Sequence, residues 1–121
     1  MSVVVGYHPS EEGRAAVAQA AAEARRRDLP LVAVDATRAG DGVPADLLAE
    51  LRADGVPVEL AEVDLPDPAD RVLRAAQDRD AAVIVVGTRH RTAVGKFLLG
   101  STAQRVLLEA APPVLLVKAP A

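Results

Sequence analysis

Two short segments of the sequence carry side chains and glycines suited to holding an anion. The first, Gly6–Ser10, follows an apolar run and contains His8. The second, Gly87–Arg91, follows a longer apolar run and contains His90 between two arginines, Arg89 and Arg91. Guanidinium groups bind phosphate oxygens through charge-assisted hydrogen bonds, and glycine lets the backbone approach a ligand closely. We therefore expect a phosphate-binding site if the two segments meet in space.

A third feature follows the second segment. Gly100 and Ser101 precede a predicted helix, so unpaired N–H groups and a hydroxyl would face an anion there. The pattern Ser101-Thr102-Ala103-Gln104 is typical of a capping box, which predicts Ser101 as the helix cap. A Walker A loop is excluded at Gly95-Lys96, because Phe97 stands where a Ser or Thr is required. No G-x-G-x-x-G motif supports dinucleotide binding either.

Metal and catalytic chemistry have little support in the sequence. The chain has no Cys and 2 His, and two histidines without a third ligand make a poor metal site. Ser10 and Ser101 are better interpreted as helix caps than as nucleophiles. We therefore do not expect an enzyme.

Composition narrows the class of protein. The 121 residues fit one domain, residues 1–121, whose 50% hydrophobic content is mostly Ala, Val and Leu. A formal net charge of −3 argues against a general nucleic-acid binder. The longest apolar run, Ala81–Val86, is too short to span a bilayer, and Met1–Gly6 does not resemble a signal peptide. We expect a cytoplasmic protein that does not bind membranes.

Short apolar runs alternate with helical patterns along the chain. Ser10 is the predicted cap of the first helix, Asp67 is the predicted cap of the third, and Pro68 takes that helix's first position. The predicted strands are Val3–Val5, Leu31–Val34, Val56–Val63, Ala81–Val86 and Val114–Val117, and the predicted helices end near Arg27, Ala53, Arg79 and Ala110.

This order predicts an α/β fold: a single doubly wound five-stranded parallel sheet. We expect its strand order to be 3-2-1-4-5. Ligands of such sheets bind beyond the carboxyl ends of the strands, where the strand order reverses. That position lies between strands 1 and 4. The segments that begin at Gly6 and Gly87 leave those two strands, so we expect them to border one crevice.

The segment Gly87–Ser101 resembles the phosphate-binding signature of universal stress proteins, G-x2-G-x9-G-(S/T), with Gly87 at its first glycine and Gly100-Ser101 at its last pair. The opening Val3–Glu12 is similar to the family's first strand and turn, and Pro112–Lys118 is similar to its final strand. The resemblance covers essentially the whole chain. It implies an adenine nucleotide alpha hydrolase-like fold and a stress-response protein.

By the same resemblance, the chain binds ATP or a related nucleotide, Mg²⁺ could accompany it, and at most slow incidental ATP hydrolysis is expected. The nucleotide-binding residues that the resemblance implies are Gly6, Tyr7, His8, Val34, Gly87, Thr88, Gly100, Ser101 and Thr102, and Arg89 and Arg91 would add positive charge beside the phosphates.

Two positions depart from the family pattern. His8 stands where the family has Asp, and His90 stands at the signature's middle glycine. A neutral imidazole cannot replace a carboxylate as an oxygen ligand for magnesium. A regulatory or interaction module of the same fold that binds no nucleotide is therefore the alternative.

The last strand is predicted to lie at an edge of the sheet. Val114–Val117 is hydrophobic, and an exposed edge of that kind invites pairing with another chain. Members of the family commonly dimerise through this strand. A two-fold pairing satisfies both edges at once, so we expect a homodimer.

Overall fold

Strands and helices alternate through the computed structural model, which describes residues 1–88 and 99–120. Within these ranges the strands are β1 (Ser2–Tyr7), β2 (Leu31–Asp35), β3 (Val58–Ala61), β4 (Ala81–Gly87) and β5 (Val114–Val117), and the helices are α1 (Glu11–Arg27), α2 (Ala45–Ala53), α3 (Pro68–Asp78) and α4 (Ser101–Glu109). All neighbouring strands pair in parallel, in the order β3-β2-β1-β4-β5. The predicted α/β fold and strand order are confirmed.

The sheet is covered by helices on both faces, because successive residues of a strand point to opposite sides. Val3 and Val5 of β1 belong to the core that includes α1, whereas Val4 belongs to the core that includes α3 and α4. All three valines are fully buried. Four of the buried residues of α1 are alanines, which let that helix lie close to the sheet; they are Ala16, Ala20, Ala21 and Ala24.

Local signals placed most of the helix ends correctly. The Ser10 hydroxyl accepts a hydrogen bond from the Gly13 amide at 3.1 Å and caps α1. The Asp67 carboxylate accepts from the Ala69 amide at 2.8 Å, with Pro68 next to it in the first turn of α3. Both predicted caps are confirmed. They could be predicted from the sequence because each depends on residues within three positions of one another.

Two local predictions were wrong. Strand β3 is shorter than the predicted Val56–Val63, since the Val56 amide donates to the Leu51 carbonyl and so completes the end of α2. Ser101 is not the cap of α4. Gly100 takes the extended cap conformation, its carbonyl accepts from the Gln104 amide at 2.9 Å, and Ser101 becomes the first helical residue.

Strand β5 lies at one edge of the sheet, beside β4. All four of its residues are half-buried, so the strand is less covered than β1 or the centre of β4. None of the helices in the described ranges has the length and apolarity needed to cross a lipid bilayer.

Candidate functional site

A crevice of about 430 Å³ opens at the carboxyl ends of β1 and β4, where the strand order reverses. It is the site that the topology predicts for a ligand of a doubly wound sheet. Its walls include seven of the residues proposed from the sequence: Gly6, His8, Gly87, Thr88, Gly100, Ser101 and Thr102. They also include residues that sequence reasoning did not propose: Ser10, Glu12, Gly13, Ala36, Arg38, Val86 and Ala103.

Two of the other proposed residues are not on these walls. The Tyr7 side chain is buried in the core beside α1, and Val34 is fully buried in the core beside α3. A ligand contact by either residue therefore stays a prediction. Arg89 and Arg91 lie outside the described residues, as do His90 and Lys96.

The turn between β1 and α1 forms one wall. His8 is exposed, and its Nδ1 lies 3.1 Å from the Ser10 hydroxyl, which also caps α1. The two residues thus tie the imidazole to the start of the helix. His8 does not reach across the crevice to fill it.

The end of β4 forms the floor. A Cβ added at Gly87 would lie 2.7 Å from the Glu12 carbonyl carbon, so α1 packs directly on this residue. The Thr88 amide donates to the Val117 carbonyl at 2.8 Å, and Thr88 is one of the wall residues. Within the described part of the chain, the buried Thr88 hydroxyl has no hydrogen-bond partner, which is uncommon for a buried hydroxyl.

The start of α4 forms the opposite wall. The amides of Ser101, Thr102 and Ala103 precede the first intrahelical bond, which the Gln104 amide donates. Free amides and the positive end of the helix dipole favour an anion at this position. The Ser101 hydroxyl does not cap the helix and lies on the same wall.

Arg38 closes the crevice from the loop after β2. Its Nη2 donates to the Ser101 hydroxyl at 2.6 Å, across 63 positions of sequence. Topology could have pointed to Arg38 in advance, because the loop after β2 leaves the carboxyl end of its strand, on the same side of the sheet as the loops after β1 and β4.

A buried network holds that loop in place. The Asp35 carboxylate accepts hydrogen bonds from the Thr37 amide at 2.8 Å, the Thr37 hydroxyl at 2.6 Å and the Gly42 amide at 2.9 Å. The buried Arg71 guanidinium lies 3.6 Å from Asp35 and donates to the Thr37 carbonyl. Burial alone would raise the pKa of Asp35, but these hydrogen bonds and the charge of Arg71 hold it below its ordinary value.

The donors on these walls do not suit a magnesium ion. Mg²⁺ prefers oxygen ligands, usually with one or two carboxylates. Among the described wall residues the carboxylate is that of Glu12, which is 5% exposed and packed under β4. Residues 89–98 contain no Asp or Glu in the sequence. Within the described ranges, no group of three or more His, Asp or Glu could hold a metal ion.

Comparisons with known proteins agree with this geometry. The model of the universal stress protein family matches residues 41–118. A universal stress protein from Mycolicibacterium smegmatis is 44% identical over 126 aligned residues, which cover 96% of each chain.

Two solved structures of universal stress proteins from Archaeoglobus fulgidus share the fold over 98% of both chains. One has a TM-score of 0.77 at 28% identity. The other was solved in complex with dAMP and has a TM-score of 0.70 at 26% identity. With a family model that covers most of the chain and a relative of such high identity along its whole length, the chain belongs to the universal stress protein family.

Proposed function

We propose that this chain is a stress-response protein that binds ATP or a related adenine nucleotide in the crevice between β1 and β4. The observation that carries the proposal is the start of α4, whose free amides and Ser101 hydroxyl open onto the crevice. Its volume of about 430 Å³ lies within the usual range for small-molecule sites. The dAMP complex of a similar protein supports the choice of ligand class.

The proposed function is binding without catalysis beyond slow incidental hydrolysis. A serine nucleophile needs a neighbouring base that is itself oriented by a third group. The Ser10 hydroxyl lies 3.1 Å from His8 Nδ1, but it also receives the Gly13 amide at the helix cap, and no hydrogen bond among the described residues orients the imidazole from its other nitrogen. The Ser101 hydroxyl receives Arg38, which is not a base.

The first test is thermal unfolding with and without millimolar ATP, ADP, AMP or cyclic AMP. A bound nucleotide should raise Tm by several degrees, because ligands that bind only the folded state stabilise it. Mass spectrometry of small molecules released on denaturation would identify a nucleotide that is carried through purification.

A charge at the start of α4 gives a sharper test. Ser101→Asp places a carboxylate among the amides that should face the phosphate, and we expect it to abolish the nucleotide-induced rise in Tm. Gln104→Asp is the matched control, since it adds the same charge one turn later, away from the crevice walls. An equal response in both variants would contradict this location.

The alternative is an interaction module of the same fold without a nucleotide. It would be favoured if purified wild-type protein carried no small molecule and none of the four nucleotides raised Tm. A crevice filled by the His8 and His90 side chains would support it. His8 is exposed and lies beside Ser10, and His90 lies outside the described residues.

We also propose a homodimer through the edge of β5. Its residues, Val114–Val117, are half-buried in the monomer, and an unpaired hydrophobic edge favours pairing with a second copy. Sedimentation should give twice the monomer mass.

Amide exchange measured at several concentrations should then show protection of Val114–Val117 rising with the dimer fraction. Strand β3, the other edge, is the internal control and should not change. A monomer at all concentrations, or protection at β3 instead, would exclude this interface.

A further inference from the structure

We propose that Arg38 recognises the phosphate in this crevice and supplies the positive charge there, so that nucleoside phosphates bind without a divalent cation. The inference rests on the proposed nucleotide site and adds to it a selecting residue and a metal requirement. It starts from the contact between the Arg38 guanidinium and the Ser101 hydroxyl, 2.6 Å long.

This contact leaves most of the guanidinium available. A guanidinium has five N–H donors, and the Ser101 contact uses one of them. Arg71, Arg79 and Arg105 each face a carboxylate, whereas the recorded partner of Arg38 is a neutral hydroxyl. An exposed guanidinium that has not been neutralised by a carboxylate can add its full charge to a bound anion.

Its position matches the place where a phosphate would lie. Ser101 is the first residue of α4, so the Arg38 contact brings the guanidinium to the free amides of that helix. Planar N–H pairs of arginine fit two phosphate oxygens at once, which makes the contact both strong and directional. A phosphate at this point would receive the helix amides from one side and Arg38 from the other.

Hydrogen bonds hold the backbone of the loop that carries Arg38. Its neighbour Thr37 is 3% exposed and is held by Asp35 through both its amide and its hydroxyl. Arg71 donates to the Thr37 carbonyl from below. Because the backbone next to Arg38 is fixed, only the long side chain has to adjust, and little ordering is required on binding.

The described walls of the crevice offer no exposed carboxylate to a metal ion that would bridge a phosphate. The described carboxylate, that of Glu12, is 5% exposed beneath Gly87, and position 8 is an imidazole. The Arg38 guanidinium therefore takes the place of the metal as the source of positive charge beside the phosphate.

Calorimetric titration of AMP and adenosine, each in EDTA and in magnesium, tests the inference. AMP should bind wild-type protein with the same Kd, within about 2-fold, in both buffers. Arg38→Gln should weaken AMP binding by about 10- to 100-fold, the loss expected for a charged hydrogen bond, and should leave adenosine binding within about 2-fold. Arg38→Lys should restore part of the AMP affinity, because it keeps the charge but not the planar pair of donors.

Arg52→Gln is the matched control. Arg52 is also exposed, and its Nη2 donates to a neutral acceptor, the Val58 carbonyl, at 3.1 Å. It lies on α2, away from the crevice, so its replacement should leave AMP binding unchanged.

These titrations distinguish failure of the inference about Arg38 from failure of the proposed nucleotide site. If AMP binds Arg38→Gln as tightly as wild type, or binds wild type only with magnesium, the inference is overturned while the proposed function stands. If wild-type protein binds neither AMP nor adenosine, nor ATP in either buffer, the proposed function fails and the inference fails with it.

Discussion

Gly13 on α1 packs against the backbone of His8 so closely that a Cβ at position 13 would lie 1.8 Å from the His8 carbonyl oxygen. Gly87 makes a similar contact with Glu12, at 2.7 Å. The first turn of α1 is thus pressed between the end of β1 and the end of β4. Gly87 is required by this packing, whatever it contributes to a phosphate.

Gly13→Ala should lower the free energy of unfolding by about 2 kcal/mol, because the added methyl group must displace backbone atoms. Helix propensity alone predicts the opposite, a gain of about 1 kcal/mol. Urea unfolding of the two chains measures the difference.

The control for Gly13→Ala is Ala18→Gly, at an exposed position of the same helix. There glycine should be the worse residue, by about 1 kcal/mol. A stabilised Gly13→Ala chain would show that the turn can move away from the helix.

Ser10→Ala should lower the free energy of unfolding more than Ser101→Ala does. Ser10 accepts the Gly13 amide and caps α1, so its loss should reduce stability by about 1 kcal/mol. Ser101 caps nothing, and Gly100 holds the cap position of α4. Its replacement should cost less than about 0.5 kcal/mol, as is usual for exposed surface positions. Equal costs in thermal unfolding would restore the capping box predicted from the sequence.

Asp28→Gly should stabilise the protein by about 0.5 kcal/mol. Asp28 ends α1 with φ of 55°, a left-handed conformation that costs a residue with a Cβ more than it costs glycine. The gain is reduced by the greater freedom of glycine in the unfolded chain.

Asp54→Gly is the comparison for this change, because Asp54 ends α2 with φ of −81°. Glycine there relieves no strain and should lower stability by about 0.5 kcal/mol. Differential scanning calorimetry should show a higher Tm for Asp28→Gly and a lower Tm for Asp54→Gly than for wild type.

The hydrogen bonds of Asp35 should make the free energy of unfolding depend on pH in the acid range. The folded-state pKa of Asp35 is lowered, so its carboxylate contributes stability above its ordinary pKa of about 3.9 and loses it as the pH falls through the folded value. Asp35→Asn should cost about 2 kcal/mol at pH 7. Its cost should shrink steadily below about pH 4.

Urea unfolding of wild type and Asp35→Asn at several pH values measures this dependence. In an Arg71→Met background the cost of Asp35→Asn at pH 7 should be smaller, because one of the partners of the carboxylate has already gone. A cost that is constant from pH 7 to the acid limit would contradict the role given to the carboxylate.

Local patterns determined most of the architecture in advance. Strand and helix periods, the caps at Ser10 and Asp67, and the end of α2 near Ala53 were predicted correctly, since each depends on residues a few positions apart. The parallel sheet followed from alternation and crossover rules, and the expected strand order 3-2-1-4-5 is confirmed. The place of the crevice at the ends of β1 and β4 followed from that strand order.

Only the tertiary structure decided what that crevice contains. Arg38 meets Ser101 across 63 positions, Thr88 keeps a buried hydroxyl without a described partner, and Tyr7 and Val34 turn into the core. The sequence alone predicted a parallel α/β chain with a ligand site at the carboxyl ends of two central strands. Which side chains line that site depends on the paths of separate loops, and contacts between distant loops leave no period or spacing in the sequence.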